Sequence, residues 1–185
     1  MTLLHTEVGQ KLEDVVFWTN QRSVNMFAEG LLRQIGAQRY GSGTYENGMR
    51  VLDSLFEDWQ LGPCGIVDGS GLSKVNRMSS AQFAKLLAQQ ANAPHAATYF
   101  KSLPIAGQTG TVKNLCKGQA GEGKVHAKSG SINGIKAYAG YVAAPNGHQI
   151  AFAIIANDYK ISGSAMAKKM EPFFNQLATY QARPE

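Results

Sequence analysis

Apolar residues between Val8 and Gly36 recur at helical spacing: Leu12, Val15 and Val16, then Phe27, Leu31 and Ile35, with Leu32 widening the stripe. The pattern predicts two helices. Asn20, Ser23 and Asn25 interrupt it with short polar side chains that favour caps over helix interiors, and Gly36 reads as the stop of the second helix. A third helix is predicted from about Tyr45 to Trp59, burying Met49, Leu52, Leu55, Phe56 and Trp59, with Gly62-Pro63 ending it. Cys64 to Val67 reads as a short extended piece leading into Asp68-Gly-Ser-Gly71, whose glycines permit a tight backbone. Ser79 with Gln82 three positions on offers a capping box for a helix that buries Phe83, Leu86 and Leu87 and fades near Asn92-Ala-Pro94. A short helix follows, and Gly107 to Gly110 reads as a turn.

After Gly123 the period changes from helical to two. Val125, Ala127 and Ser129 fall on one side of a strand, and His126, Lys128 and Gly130 on the other. Ile135 to Ala143 and Gln149 to Asn157 read as two more strands, joined at Pro145-Asn-Gly147 by the Asn-Gly dipeptide that favours hairpins. From Ser164 to Tyr180 the spacing is helical again, around Met166, Met170, Phe173, Phe174 and Leu177, with Pro172 as a kink or the start of a second segment. The sum is an α+β domain: helices, an antiparallel three-stranded meander, then a closing helix.

Composition narrows the picture only a little. With 185 residues, 44% of them hydrophobic, the chain has material for one ordinary core, and it shows no repeat, charge block or low-complexity tract. A formal charge of +5 is compatible with a polyanionic partner, but no basic stretch interleaved with aromatics argues for nucleic acid. No apolar run reaches the length that spans a bilayer. Cys64 and Cys116 fit no metal-ligand spacing, and His5, His95, His126 and His148 have no spaced partners, so neither a metal nor a cofactor is expected. Tyr138, Tyr141, Phe152 and Trp18 read as packing residues.

Two short motifs carry chemistry. Ser23-Val-Asn25 sets a hydroxyl and a carboxamide two residues apart at a helix entry. Lys128-Ser-Gly130 sets a cation, a hydroxyl and a residue without a side chain along a strand, a combination suited to holding a carboxylate beside an approaching peptide. Each tripeptide alone is weak, since a cap and a solvated lysine are the ordinary uses of such residues.

Together with Asp68-Gly-Ser-Gly-Leu-Ser73, and in this order, they change the odds. The chain resembles the low-molecular-mass class C penicillin-binding proteins, the D-Ala-D-Ala carboxypeptidases and endopeptidases of peptidase S13 type, in which Ser-x-x-Lys, Ser-x-Asn and Lys-Thr-Gly-like motifs line one cleft. The resemblance extends through Asn20 to Glu29, Leu103 to Thr111, Ala127 to Ser131 and Ala139 to Val142, and so covers nearly the whole chain. It implies a β-lactamase/transpeptidase-like fold, an antiparallel sheet flanked by helices, here incomplete with three C-terminal strands. Two further strands would lie beyond Gln149 to Asn157, leaving that strand as an apolar edge.

Carried over by position, the resemblance makes Ser23 a proton-relay hydroxyl and Asn25 a partner for the substrate's peptide group. Lys128 supplies positive charge, and Ser129 binds the terminal carboxylate of a substrate or β-lactam where the family more often has threonine. Gly130 admits the peptide, the N–H of Ser131 is one oxyanion donor, and Asp68 and Ser70, in a loop of the cleft wall, are candidates only for supporting the substrate-binding groups from behind. No serine here is followed by lysine three positions on, so the nucleophile and its base are not among these residues. Residues 1–185 are therefore expected to be the C-terminal part of a single penicillin-binding domain, inactive without an N-terminal part bearing Ser-x-x-Lys. The implied partners are peptidoglycan stem peptides and β-lactams, in the periplasm or at the outer face of the cell membrane. A serine β-lactamase-like hydrolase and a non-catalytic wall-binding module are the alternatives.

Overall fold

The computed structural model describes residues 8–145 and 147–181. Helix α1 (Leu12–Arg22) stops where Ser23 turns left-handed, at φ 55, and α2 (Asn25–Tyr40) starts two residues later, so the predicted break is where the short polar residues put it. The predicted stop at Gly36 is not a stop. Helix α2 runs on to Tyr40 and is closed by Gly41, at φ 74 with its N–H on the Ala37 carbonyl. Gly36 is buried instead at the crossing of α2 with α3 (Tyr45–Asp58): a Cβ there would lie 2.6 Å from the backbone nitrogen of Gly48, and one on Gly48 would strike the carbonyl oxygen of Leu32. Two helices meet backbone to backbone at this point, which only glycine permits.

Helix α3 ends before Gly62-Pro63, because Gln60 takes a left-handed conformation at φ 51 and the Leu61 N–H returns to the Phe56 carbonyl. Helix α4 (Ser80–Gln90) opens with the predicted capping box, Ser79 and Gln82 each bonding the other's backbone. Helix α5 (Ala96–Ser102) and a 3-10 turn at Gly110–Val112 follow.

Strands β1 (Val125–Ile132), β2 (Ile135–Ala143) and β3 (Gln149–Ala156) form an antiparallel sheet in the order β1-β2-β3. The register pairs Ala127 with Gly140 and Gly140 with Phe152. Asn133-Gly134 makes the β1–β2 turn, a signal that the sequence reading did not use, with Gly134 at φ 78. At the β2–β3 turn Asn146 lies outside the described residues, while Gly147, at φ 80, donates to the Ala144 carbonyl.

The sheet has two faces of period two. Val125, Ala127, Tyr138, Val142 and Phe152 pack against Met170, Phe174 and Ala178 of α6 (Gly163–Ala178), which passes through Pro172 as one helix. On the other face Tyr141, with Leu87 of α4 and Leu103, forms a smaller core, and the Tyr141 hydroxyl donates to the Leu87 carbonyl at 2.8 Å. Burying each such large side chain contributes about 1.5–3 kcal/mol, so the two faces fix the sheet between α6 and the α4–α5 layer. Among the described residues no strand pairs with the outer edge of β3.

Candidate active site

Ser23 reaches the sheet because the end of α1 is tied down. Asn20 Nδ2 donates to Ser102 Oγ at 2.7 Å, and buried Gln21 donates through Nε2 to the Ser102 carbonyl at 3.2 Å. Gly110 lets the 3-10 turn come up against the same helix end, since a Cβ on it would lie 2.6 Å from Gln21 Oε1. Ser102 leads directly into Leu103-Pro-Ile-Ala106, which lies along the outer edge of β1: Ala127 N–H donates to the Pro104 carbonyl, and Ala106 N–H to the Val125 carbonyl. In the sequence Asn20 had an individual role only as a helix breaker, and Gln21 and Ser102 had none.

The consequence is a contact across 105 residues: the Lys128 ammonium donates to Ser23 Oγ at 2.9 Å and to the Ser129 carbonyl at 2.7 Å. Ser129 Oγ donates in turn to Thr111 Oγ1 at 2.8 Å, on the 3-10 turn. Left-handed φ at a non-glycine residue costs roughly 1–3 kcal/mol, and Ser23 is held there beside Lys128 by the surrounding contacts. Thr111 lay within a segment noted in the sequence but had no role assigned.

Alternation along an antiparallel strand explains what the edge offers. Val125 and Ala127 direct their backbone groups outward to the 104–106 segment, so Ser129 and Ser131 direct theirs outward too, past the end of that segment. No described residue pairs with the N–H of Ser129 or Ser131. Gly130 is exposed between them, and a Cβ on it would meet only Ala137, at an ordinary 3.7 Å. Nothing within the chain requires glycine there, so the empty side chain is spare room on the cleft side.

The charge of this cluster is unbalanced. Burial, and then the like charge of Lys136, hold the Lys128 amine below the ordinary lysine range. Among the described residues the one ion pair is Lys11–Glu13, so no carboxylate offsets Lys128. The arrangement is therefore a cation and two hydroxyls with outward N–H groups beside them, suited to an anionic group carried on an extended peptide.

Asn25 is the first residue of α2; its carboxamide is exposed and bonds to no described residue. Asp68 and Ser70 are placed differently from the cluster. The Asp68 carboxylate accepts from Gly71 N–H, Ser73 N–H and Asn76 Nδ2, and Glu29 of α2 accepts from the N–H groups of Gly69 and Ser70. The carboxylate is spent on folding its own loop, and no described hydrogen bond links that loop to Ser23 or Lys128.

The other residues singled out from sequence sort readily. Tyr138, Tyr141 and Phe152 are buried, but Trp18 is 46% exposed. His126 stacks on Phe100, with ring centroids 4.2 Å apart. Cys64 and Cys116 are free thiols, and among the described residues no group of three or more His, Cys, Asp or Glu gathers as metal ligands. His5 lies outside the described residues.

Comparison with known proteins decides the lineage. The family model described as D-Ala-D-Ala carboxypeptidase 3 (S13) matches residues 2–180. The chain belongs to this S13 family. It is similar to the D-alanyl-D-alanine carboxypeptidase of Actinomadura sp. (strain R39), 34% identical over 185 residues that cover 96% of this chain and 34% of that protein. The penicillin-sensitive carboxypeptidase A of Dictyostelium discoideum is 29% identical over 168 residues, 82% of this chain and 31% of that one. The crystal structure of penicillin binding protein 4 from Haemophilus influenzae superposes with a TM-score of 0.81 at 23% identity, over 90% of this chain and 40% of that one, and shows the same fold. This S13 chain thus spans about a third of the length of the curated relatives it matches. No described helix is long and apolar enough to cross a membrane.

Proposed function

We propose that residues 1–185 form the carboxylate-binding part of a single penicillin-binding domain, in an exported serine-type enzyme that removes terminal D-alanine from peptidoglycan stem peptides. The observation that carries this reading is the bond from Lys128 Nζ to Ser23 Oγ at 2.9 Å, which joins the two family motifs into one cluster. In the proposed reaction Ser129, with the Lys128 charge behind it, takes the terminal carboxylate. Asn25 bonds the substrate's peptide group, and Gly130 leaves room for the peptide to lie along β1. The outward N–H of Ser131 is one oxyanion donor, a contribution worth about 2.7–4 kcal/mol where such donors have been removed. Ser23 passes a proton toward the leaving amine.

The nucleophilic serine and its lysine come from outside these residues, since no Ser-x-x-Lys occurs among them. Asp68 and Ser70 shape the wall through the fold of their loop. A β-lactam, with its own carboxylate beside a strained amide, fits the same donors and would acylate the missing serine.

Binding is separable from turnover, which makes the reading testable on this chain. Diacetyl-L-Lys-D-Ala-D-Ala titrated into the 15N-labelled protein is expected to shift the amides of Ser129 and Ser131. Amidation of its C-terminus, or Lys128→Met, should weaken binding about tenfold or more, the scale of one charge-assisted contact. Equal binding of the acid and the amide would refute the assignment of Ser129 and Lys128.

A further inference from the structure

His126 stands two residues before Lys128 on β1, and by alternation it shares that residue's face, away from α6. Its ring stacks on Phe100 of α5, with centroids 4.2 Å and planes 21° apart. Phe100 in turn meets Tyr141, the cross-strand neighbour of His126, at 5.8 Å. Helix α5 has seven residues, too few to stay helical by themselves, so it is held by what it packs on. What it carries is Ser102, two residues after Phe100 and 2% exposed. The Ser102 hydroxyl accepts from Asn20 Nδ2, and its carbonyl accepts from Gln21 Nε2. A continuous path therefore runs from His126 through Phe100 and Ser102 to the end of α1, and so to Ser23.

Nδ1 of His126 is buried and has no hydrogen-bond partner among the described residues. A neutral imidazole loses one bond there, whereas an imidazolium would bring a charge and an unmet N–H donor into the same place. The groups around the ring offer no anion. Helix α5 contributes Phe100 and Tyr99, β2 contributes Tyr141, and β1 contributes Lys128, a second cation. Residues 104–106 carry no ionisable side chain, and His95 and Lys101, at the two ends of α5, are exposed. Burial keeps the Tyr99 and Tyr141 phenols above their ordinary range, so both are neutral where a histidine titrates. The face of Phe100 attracts a cation only weakly against the loss of hydration. Burial accordingly holds the imidazole below the ordinary histidine value of 6.5. An open recess of about 190 Å3, lined by Ala96, Ala97 and Phe100 of α5 and by Tyr141, gives the helix room to shift.

We propose that His126 is a positioning residue for the substrate-binding cluster: neutral, it seats α5 and through Ser102 keeps Ser23 against Lys128, and protonated, it releases them. For the reaction this rests on the proposed roles of Ser23 and Lys128, whereas the docking of α5 stands apart from them. An undocked ring in water takes up its proton near 6.5. Docking is therefore constant above that value and weakens by up to about tenfold per pH unit as the pH falls from it toward the depressed one.

A pH titration of the 15N,13C-labelled chain by NMR tests this. The side-chain amides of Asn20 and Gln21 are expected to lose protection from exchange with the same midpoint as the His126 ring carbon, below 6.5. In His126→Phe, which keeps a ring against Phe100 and cannot titrate, they should stay docked across the same range; His126→Leu serves if that variant fails to fold. Amides that hold still while His126 titrates, or a transition that persists in the variant, overturn the proposal. Diacetyl-L-Lys-D-Ala-D-Ala should bind the parent about tenfold more weakly one pH unit below the midpoint than at about pH 7.5, and the variant equally at both. A peptide that binds at neither pH refutes the proposed function, and the amides of Asn20 and Gln21 then still decide the docking.

Discussion

Gly48→Ala adds one methyl group at the crossing of α2 and α3, where the structure has no space for it. The new Cβ would collide with the Leu32 carbonyl oxygen and lie 2.9 Å from Leu32 Cγ, and Leu32 is itself buried. Neither neighbour can swing away, because one is helix backbone and the other is a core side chain. Forcing a methyl into such a site costs about 1–3 kcal/mol or more, against the ~1 kcal/mol that alanine gains over glycine inside a helix. Contact with main chain puts the cost at the upper end, so a net loss of about 1–2 kcal/mol is expected, or roughly 2–8 °C in Tm for a domain of this size. Gly30→Ala is the matched control: it is also within α2, is exposed, and would have nothing within 4 Å of its new Cβ. It should raise stability by about 0.5–1 kcal/mol. Thermal unfolding followed by circular dichroism, with urea titration as a check, measures both. A Gly48→Ala protein as stable as the parent, or one that moves in the same direction as Gly30→Ala, would refute the close-crossing argument.

Further outcomes follow from the site and the cores. Lys128 should titrate below the ordinary lysine value of 10.5 in a 13C-ε NMR titration, and Lys136→Gln should move it upward by removing the like charge. The unfolded chain binds more protons than the folded one between the depressed value and 10.5, so stability attributable to Lys128 should rise with pH across that window. A Lys128 that titrates at or above 10.5 contradicts this. Tyr141→Phe removes a buried hydrogen bond to the Leu87 carbonyl and should cost about 0.5–1.5 kcal/mol in urea unfolding; no change would mean the bond is not made. Cys116 is fully buried, with its thiol pushed up to about 12 by burial and then by Glu171, so a thiol reagent should modify Cys64 alone in the native protein and both cysteines after denaturation. Asp68→Ala should speed hydrogen exchange at the Gly71 and Ser73 amides, which its carboxylate accepts, and leave the strands protected.

Local chemistry carried much of the fold into the sequence. The Ser79–Gln82 box, the interruption at Asn20 to Asn25 and the period-two strands are interactions between near neighbours, and near neighbours are visible in a string of residues. Gly36 shows the limit: its reason for being glycine is the backbone of Gly48 on another helix, and at sequence level a glycine late in an apolar stripe looks the same as a stop. Trp18 shows another. As a large aromatic it was read as a packing residue, yet the end of α1 is turned by Gln21 and Asn20 toward Ser102, which leaves the indole at the rim of a cleft.

Of the site, the motifs were legible and their union was not. Ser23 and Lys128 stand 105 residues apart, and what joins them is the docking of α1 on Ser102 and of the following segment on β1. Neither step has a periodic signature. The resemblance to penicillin-binding proteins supplied the expectation that the two motifs face each other, and the hydrogen bonds supply the physical means. Asp68 adds a further point: its carboxylate folds its own loop through bonds to Gly71, Ser73 and Asn76, partners that the Asp-Gly-Ser-Gly motif alone did not reveal.

The role proposed for the Ser23–Lys128–Ser129 cluster is to hold substrate for a nucleophile supplied from outside these residues. Incubation of the chain with a fluorescent penicillin, followed by denaturation and intact mass measurement beside a full-length relative as positive control, tests this most directly. The predicted result is the unmodified mass for this chain and one added penicillin for the control. A stoichiometric adduct on any serine of this chain would contradict the account, because one of the hydroxyls assigned here to relay, carboxylate binding or structure would then be the nucleophile.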